Sequence, residues 1–336
     1  MHYILGLDIG GTKIDCIIAD EDGKICGFAS AGTGSHEYHG IESAAREIEK
    51  AVCATLDDAD ISLGAVQSIG LGVAGADQPS DFPMLEDALY TPLFGDIPRV
   101  FVNDAFAALR GGTRASSGLV IACGTGAICA GISPSQERAR AGGWMPEYGD
   151  RCTGETLGEE GLNSVWRARE DIVPPTLLTE LFLERAGYSD VDTLFFDLYN
   201  QRLSTDALQP MAQLVFQAGQ AGDAVACEIL QRGGEYLGMM INAVARKLRM
   251  SDSAFAICTA GSVFSQGAPI LHDSMAQIVK QVCRNAHFQR PIWIPVVGAL
   301  LLGFEVENPI SDKMYDKISK NLIQSESKYN KSFRVR

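Results

Sequence analysis

The chain has 336 residues, 46% of them hydrophobic, and a formal net charge of −14 at pH 7. That length can bury a large core and favours two domains. The acidic balance argues against a nucleic-acid or anionic-membrane surface, because phosphate backbones are bound by basic patches, and points to small-molecule partners. The longest apolar stretch, Trp293 to Phe304, is too short to span a bilayer and contains Pro295 and Gly298. Asp8 interrupts the first apolar stretch with no basic segment before it, against a secretory signal. A soluble cytoplasmic protein is therefore expected. The nine cysteines (Cys16, Cys26, Cys53, Cys123, Cys129, Cys152, Cys227, Cys258 and Cys283) include no CxxC pair and read as buried reduced thiols.

In chain order, Tyr3 to Ile9, Lys13 to Ala19 and Lys24 to Ala31 form an antiparallel meander joined by the turns GG and EDGK. A helix follows over Ile41 to Leu56, where Ile41, Ala44, Ala45, Ile48, Val52 and Leu56 recur at helical spacing. Strands at Val66 to Val73 and Arg99 to Val102, with helices between and after, complete an α/β layer arrangement. At Leu119 the theme restarts as LVIACGTGAICAGI, so the halves resemble a distant duplication without detectable identity. From Thr153 to Met250 the pattern is helical, with a long helix from Ala224 to Leu248. Strands at Ala254 to Thr259 and Pro291 to Ile294, a helix ending near Asn285 and a helix from Val296 close the second domain. The lysine-rich stretch after Asp312 reads as a surface helix and a frayed tail.

Four segments place glycines and small hydroxyls at the end of apolar runs: ILGLDIGGTK, VFVNDAFAAL, LVIACGTGAI and AICTAGSVF. Adjacent glycines after a strand let backbone N–H groups form an anion-binding concavity, and two such turns suit a polyphosphate. An aspartate between them has an obvious task.

The ordered set LGLDIGGTK, VNDAFAAL, CGTGA, GGWMPEYGD and TAGSVF resembles the actin, sugar-kinase and heat-shock ATPase superfamily. Within it, the nearest likeness is to the N-acetylglucosamine kinase and BadF/BadG/BcrA/BcrD ATPase family, from Leu5 to about Gly303. The resemblance implies two actin-like, ribonuclease H-like domains with an interdomain cleft and a helical insertion in the second. Residues 1–112 with a returning helix at 310–330 would form one domain, and residues 113–309 the other. It also implies ATP with Mg²⁺ and a homodimer. On that likeness Gly10, Gly11 and Thr12 offer donors to phosphate, Lys13 is a phosphate contact or an exposed strand residue, and Asp8 holds Mg²⁺ through its water shell. Gly124, Thr125 and Gly126 form the second phosphate turn, and Gly261 with Ser262 the adenosine segment. Asp104, after the strand VFVN, is the expected general base, with helix capping as its competing role.

For the acceptor, GVAGADQ resembles the family's serine-glycine-glycine-aspartate loop and offers Gly75, Ala76 and Asp77, with Ala74 in place of the serine. Asp150 resembles the second sugar-binding aspartate, while Trp144 reads as packing. RCTGETLG stands where the family has EGSGxxxG, so Arg151 and Cys152 replace glutamate and glycine, and Thr153 and Gly154 keep the pattern. In AGTGSHEYHG, Gly34, Ser35 and His36 occupy the place of a sugar-binding asparagine; Ser35 is a candidate contact and His36 is expected at the surface. The expected activity is transfer of the ATP γ-phosphoryl group to a hydroxyl, the 6-OH, of N-acetylglucosamine or a related amino sugar. Glucosamine and N-acetylmuramic acid are alternatives, the latter through Arg151 on its carboxylate. The competing classes are an ATPase that activates a partner enzyme, which would need converging cysteine thiolates, and a sugar-responsive regulator.

Overall fold

The computed structural model describes residues 2–335, which form two compact units. One comprises the residues up to Val120 together with those from Gln289 on; the other is Ile121–Phe288. The first unit opens with β1 (Tyr3–Ile9), β2 (Ile14–Asp20) and β3 (Ile25–Ala31), then α1 (His36–Ala59), β4 (Val66–Val73), α2 (Asp81–Leu85), α3 (Thr91–Phe94), β5 (Arg99–Asn103) and α4 (Asp104–Gly112). Next come β6 (Gly118–Cys123), β7 (Ala127–Ile132), β8 (Arg138–Gly142) and α5 (Gly154–Arg169). The helices α6 (Leu177–Ala186), α7 (Val191–Tyr199), α8 (Met211–Gln220) and α9 (Ala224–Lys247) form the helical insertion, followed by β9 (Ala256–Ala260), α10 (Pro269–Lys280) and β10 (His287–Gln289). The chain then returns to the first unit with α11 (Pro295–Phe304) and α12 (Asp312–Tyr329).

Each unit is built on one five-stranded sheet, in the orders β3-β2-β1-β4-β5 and β10-β9-β6-β7-β8. Read from opposite ends, the two orders match, the meander edge β3-β2-β1 corresponding to β8-β7-β6. In the first sheet β1 runs antiparallel to β2 and parallel to β4, and β5 runs parallel to β4. The register lines up Ser30, Asp15, Asp8, Gly72 and Val102 as one row across β3, β2, β1, β4 and β5. Alternation sends Leu5, Leu7 and Ile9 to one face, against Ala44, Ile48 and Val52 of α1. Ile4 faces the other way, with Val297, Leu300 and Leu301 of α11.

That second face is packed backbone to backbone. A methyl on Gly70 would stand 2.0 Å from the Ala299 carbonyl oxygen, and one on Gly298 would stand 1.8 Å from that of Ala107 in α4. Glycine at both places lets α11 lie directly on the sheet and on α4. This contact explains why the return to the first unit comes at Gln289 and not at Ile310, where the sequence suggested it; the forward boundary falls at Val120, beyond Gly112.

Three further expectations are corrected. Pro291 to Ile294 is not a strand, because the N–H groups of Ile292 and Trp293 donate to Gly112 and Gly111 carbonyls, and that of Ile294 to Phe333. The strand β8, RARAG, was not expected, since it alternates arginine only with alanine and carries no large apolar residue. The segment after α12 is not frayed: Phe333 is fully buried, and the Ser332 hydroxyl and Phe333 N–H both donate to Glu326 Oε1 at 3.1 Å. Six cysteines are buried, as expected, whereas Cys53 is exposed. Among the described residues no helix is long and apolar enough to cross a membrane.

Candidate active site

In the first unit the carboxyl ends of three parallel strands, β1, β4 and β5, bring Asp8, Gly72 and Asp104 together. Asp8 pairs in register with Gly72, and a methyl placed on Gly72 would stand 3.5 Å from Asp104 Cα and 3.8 Å from Asp8 Oδ1. Such strand ends are where open α/β sheets hold ligands. The question of capping is resolved by Asn103, whose side chain accepts the Ala105 N–H at 3.0 Å and serves as the N-cap of α4. Asp104 is therefore the first residue of the helix, and the cap does not occupy its carboxylate. The Asn103 amide also donates to Asp77 Oδ1 at 2.9 Å, tying the GVAGADQ loop to the end of β5. This second bond of Asn103 has no local signal in the sequence.

The turn Gly10–Lys13 closes the β1–β2 hairpin through a Gly10 N–H to Lys13 carbonyl bond of 2.9 Å, with Gly11, Thr12 and Lys13 exposed at its tip. Lys13 Nζ lies 2.7 Å from Asp15 Oδ2, so it is an ion-paired residue at the turn. Gly75 and Ala76 are buried, and His36 and Glu37 pack over Gly75, so His36 is half-buried against the loop and not at the surface as expected. Ser35 is fully enclosed, and its hydroxyl has no hydrogen-bond partner among the described residues.

The Asp8 carboxyl is pushed up to about 7, by desolvation first and then by the carboxylates of Asp104 and Asp15, against the opposing charges of Lys13 and Lys331. Between about pH 4 and about 7 the folded chain thus holds a proton that the unfolded chain has released, so this group's stabilisation is full below the unfolded pKa and is lost as pH rises through 7. Melting temperatures of the ligand-free wild type, measured against Asp8→Asn, are expected to fall relative to the variant across that window. Parallel pH profiles would remove the perturbation.

In the second unit the turn Gly124–Gly126 follows β6. The Gly154 N–H donates to the Gly124 carbonyl at 2.7 Å, which brings the first residue of α5 to the turn. Thr153 caps α5 in a reciprocal box with Thr156, their side chains each accepting the other's backbone N–H. A 16-residue helix so capped directs its positive dipole end toward the turn, a setting that suits anions. Gly261 is pressed on the same place: at φ +99°, a methyl on it would stand 2.2 Å from the Cys123 carbonyl oxygen, and Ser262 Oγ lies beside Gly124. The Gly124–Gly126 turn and the Gly261–Ser262 segment are thus neighbours. Thr125, Gly126, Gly261 and Ser262 are all exposed.

Asp150 is 3% exposed, and its Oδ2 accepts the Trp144 N–H at 2.7 Å. Desolvation raises its carboxyl above the ordinary range against the pull of the Trp144 and Gly143 N–H groups. Arg151 donates to the carbonyls of Pro146 and Asp150, closing the loop. Trp144 is not packed as expected: it is 51% exposed, with the Arg140 guanidinium 4.8 Å above its ring.

The family model of the BadF/BadG/BcrA/BcrD ATPases matches residues 5–303, most of the chain. The chain belongs to that family. As a member of it, the protein is 30% identical over 316 residues to N-acetyl-D-glucosamine kinase of Dictyostelium discoideum, covering 90% of this chain and 98% of that one. It is 27% identical to N-acetylmuramic acid/N-acetylglucosamine kinase of Clostridium acetobutylicum, over 79% of this chain and 86% of that one. Among solved structures, a candidate N-acetylglucosamine kinase of Chromobacterium violaceum superposes with a TM-score of 0.69 at 24% identity, covering 90% and 99% of the two chains, and so shares the fold. This family member is an α/β protein with two sheet-based units and an ATPase signature, as the five motifs implied.

Proposed function

We propose that the protein is an ATP-dependent amino-sugar kinase that transfers the γ-phosphoryl group to the 6-hydroxyl of N-acetylglucosamine or a close relative. The convergence of Asp8, Gly72 and Asp104 at the ends of three parallel strands carries the reading. It provides one carboxylate for a cation and a second for an acceptor hydroxyl, with Gly72 between them lying directly under the Ala107 methyl of α4. Asp104 accepts the hydroxyl proton as the new O–P bond forms. The Gly10–Lys13 turn in the first unit, and the Gly124–Gly126 turn with the amino end of α5 in the second, supply phosphate donors. Gly261 and Ser262 receive the nucleoside. The names of the relatives above support the acceptor class.

Mg²⁺ suits the donor set at Asp8: a hard carboxylate oxygen, crowded by two other carboxylates whose repulsion a cation relieves. When bound, it would neutralise charge on the phosphates in transfer. The loop held by Asp150 would line the acceptor. Asp150→Ala is therefore expected to weaken acceptor affinity about tenfold or more through the loss of a buried, hydrogen-bonded carboxylate, with MgATP affinity intact. Titration of both ligands by calorimetry checks this, and unchanged acceptor affinity removes Asp150 from the site.

The deciding experiment is ADP release with MgATP against N-acetylglucosamine, glucosamine, N-acetylmannosamine, N-acetylmuramic acid and glucose, with a no-sugar control. Strong stimulation by an amino sugar supports the kinase and names its acceptor. Sugar-independent hydrolysis would favour an ATPase that activates a partner.

A further inference from the structure

Beyond its charge beside Asp8, the buried carboxylate of Asp15 has no part in the chemistry above, yet it is one of the most elaborately held groups in the first unit. It stands opposite Asp8 in the β1–β2 register and opposite Ser30 in the β2–β3 register, so the three side chains share one face of the sheet. Ser30 Oγ donates to Asp15 Oδ1 at 2.5 Å. Asp15 Oδ2 receives two ammonium groups: Lys13 Nζ at 2.7 Å, from the phosphate turn, and Lys331 Nζ at 3.0 Å, from the segment after α12. The Asp15 side chain is 3% exposed and that of Lys331 24%, while Lys13 is 59% exposed.

Lys331 reaches this place because its surroundings are fixed. Its backbone N–H donates to the Glu326 carbonyl, its ammonium lies 3.9 Å from the centroid of the Phe28 ring, and Phe333 packs edge-on to Phe28. An exposed chain end would gain nothing from such anchoring.

Charge counting gives the arrangement a use. With Asp15 facing Lys13 alone, the pair is neutral and offers a polyphosphate no net attraction. A second ammonium on the same carboxylate oxygen lets Lys13 keep a net positive field toward the turn while its position stays set by Asp15. We propose that Lys331 is a positioning residue of the phosphate site, acting through Asp15 to hold Lys13 at the Gly10–Lys13 turn with its charge available to ATP. This rests on the reading of that turn as a phosphate site in an ATP-dependent enzyme.

The test uses the full chain and MgATP, with Lys331→Met, Lys331→Gln and Lys331→Arg, and with Asp15→Asn alone and combined with Lys331→Met. Calorimetric Kd for MgATP, KM for ATP and for acceptor, and melting temperature are measured for each. Loss of the charge, by Met or Gln, is expected to raise Kd and KM for MgATP about tenfold, within the range for groups coupled in one network. Acceptor KM should stay unchanged, and Arg should restore most of the loss. In the Asp15→Asn background, removal of Lys331 should add less than about twofold, since the two act as one unit. An unaltered MgATP Kd in the Met and Gln variants overturns the proposal. So does a fall in melting temperature with equal losses for both substrates, or full additivity with Asp15→Asn. If wild-type protein binds MgATP but no sugar stimulates ADP release, the kinase reading fails while the Kd comparison still decides the role of Lys331.

Discussion

Asp104→Asn is expected to lower the rate of phosphoryl transfer by about 10²- to 10⁴-fold, the range for removing a positioned general base, while MgATP still binds. Asparagine keeps the shape of the side chain and its place at the start of α4, and the helix cap is unaffected because Asn103 supplies it. Removing the Asp104 charge also removes one source of the rise in the Asp8 carboxyl. The same charge also attracts a cation at Asp8, so the Mg²⁺ dependence is measured beside the rate to separate a lost base from a weakened cation. Single-turnover rates and MgATP Kd, measured together, check this. Turnover within a few-fold of wild type would exclude Asp104 as the base. Asn103→Ala is the useful contrast, since it removes the cap, worth about 1 kcal/mol, and the bond to Asp77, but leaves the carboxylate of Asp104.

The second large effect is on stability. Gly298→Ala would put a methyl 1.8 Å from the Ala107 carbonyl oxygen and close to the Gly111 nitrogen. Both are backbone atoms of a packed helix, so α11 and α4 must separate and the seating of α11 on Gly70 must be disturbed with them. Overpacking of this kind costs about 1–3 kcal/mol and occasionally more, and a rigid backbone contact belongs at the upper end. A fall of roughly 6–12 °C in the melting transition of the first unit follows, taking about 2–4 °C per kcal/mol for a body of this size. Gly95→Ala, also in the first unit, is a fitting control: nothing lies within 4 Å of its methyl position, so its cost comes only from the left-handed φ of +57°. A Gly298 variant that melts with wild type would show that α11 does not lie as close as described.

The strands of the first meander, the start and end of β4, and the long helix α9 are all legible from periodicity, because in each the apolar residues repeat with the period of the element that buries them. Gly10 to Thr12, Gly124 to Gly126, Gly261 and Asp104 are legible as strand ends, because glycines and small or acidic residues directly follow the apolar runs that form β1, β6, β9 and β5. The rest depends on contacts between distant parts of the chain. Gly70 and Gly298 read as weak points in a strand and a helix, and only their mutual approach explains them. Nothing near Asp15 or Lys331 announces their pairing, and a lysine after a polar helix reads as a solvated end. His36 and Trp144 exchanged their expected places for the same reason: the burial of a single side chain is decided by which loop folds over it. Asn103 and Asp104, adjacent in sequence, were separable in role only by the direction in which each side chain points.

The first unit is assembled from two stretches of chain with the whole second unit inserted between them. On the ribosome, β1 to β5 are therefore made long before α11, α12 and Phe333 exist to cover Ile4, Gly6 and Gly70. One face of the nascent sheet must wait, apolar and unprotected, while the inserted unit emerges and folds, at a pace of about 5–20 residues per second. A message cut short between the two stretches would leave the first sheet without α11 and α12. Such a product would also lack Lys331, and with it the second ammonium on the Asp15 carboxylate.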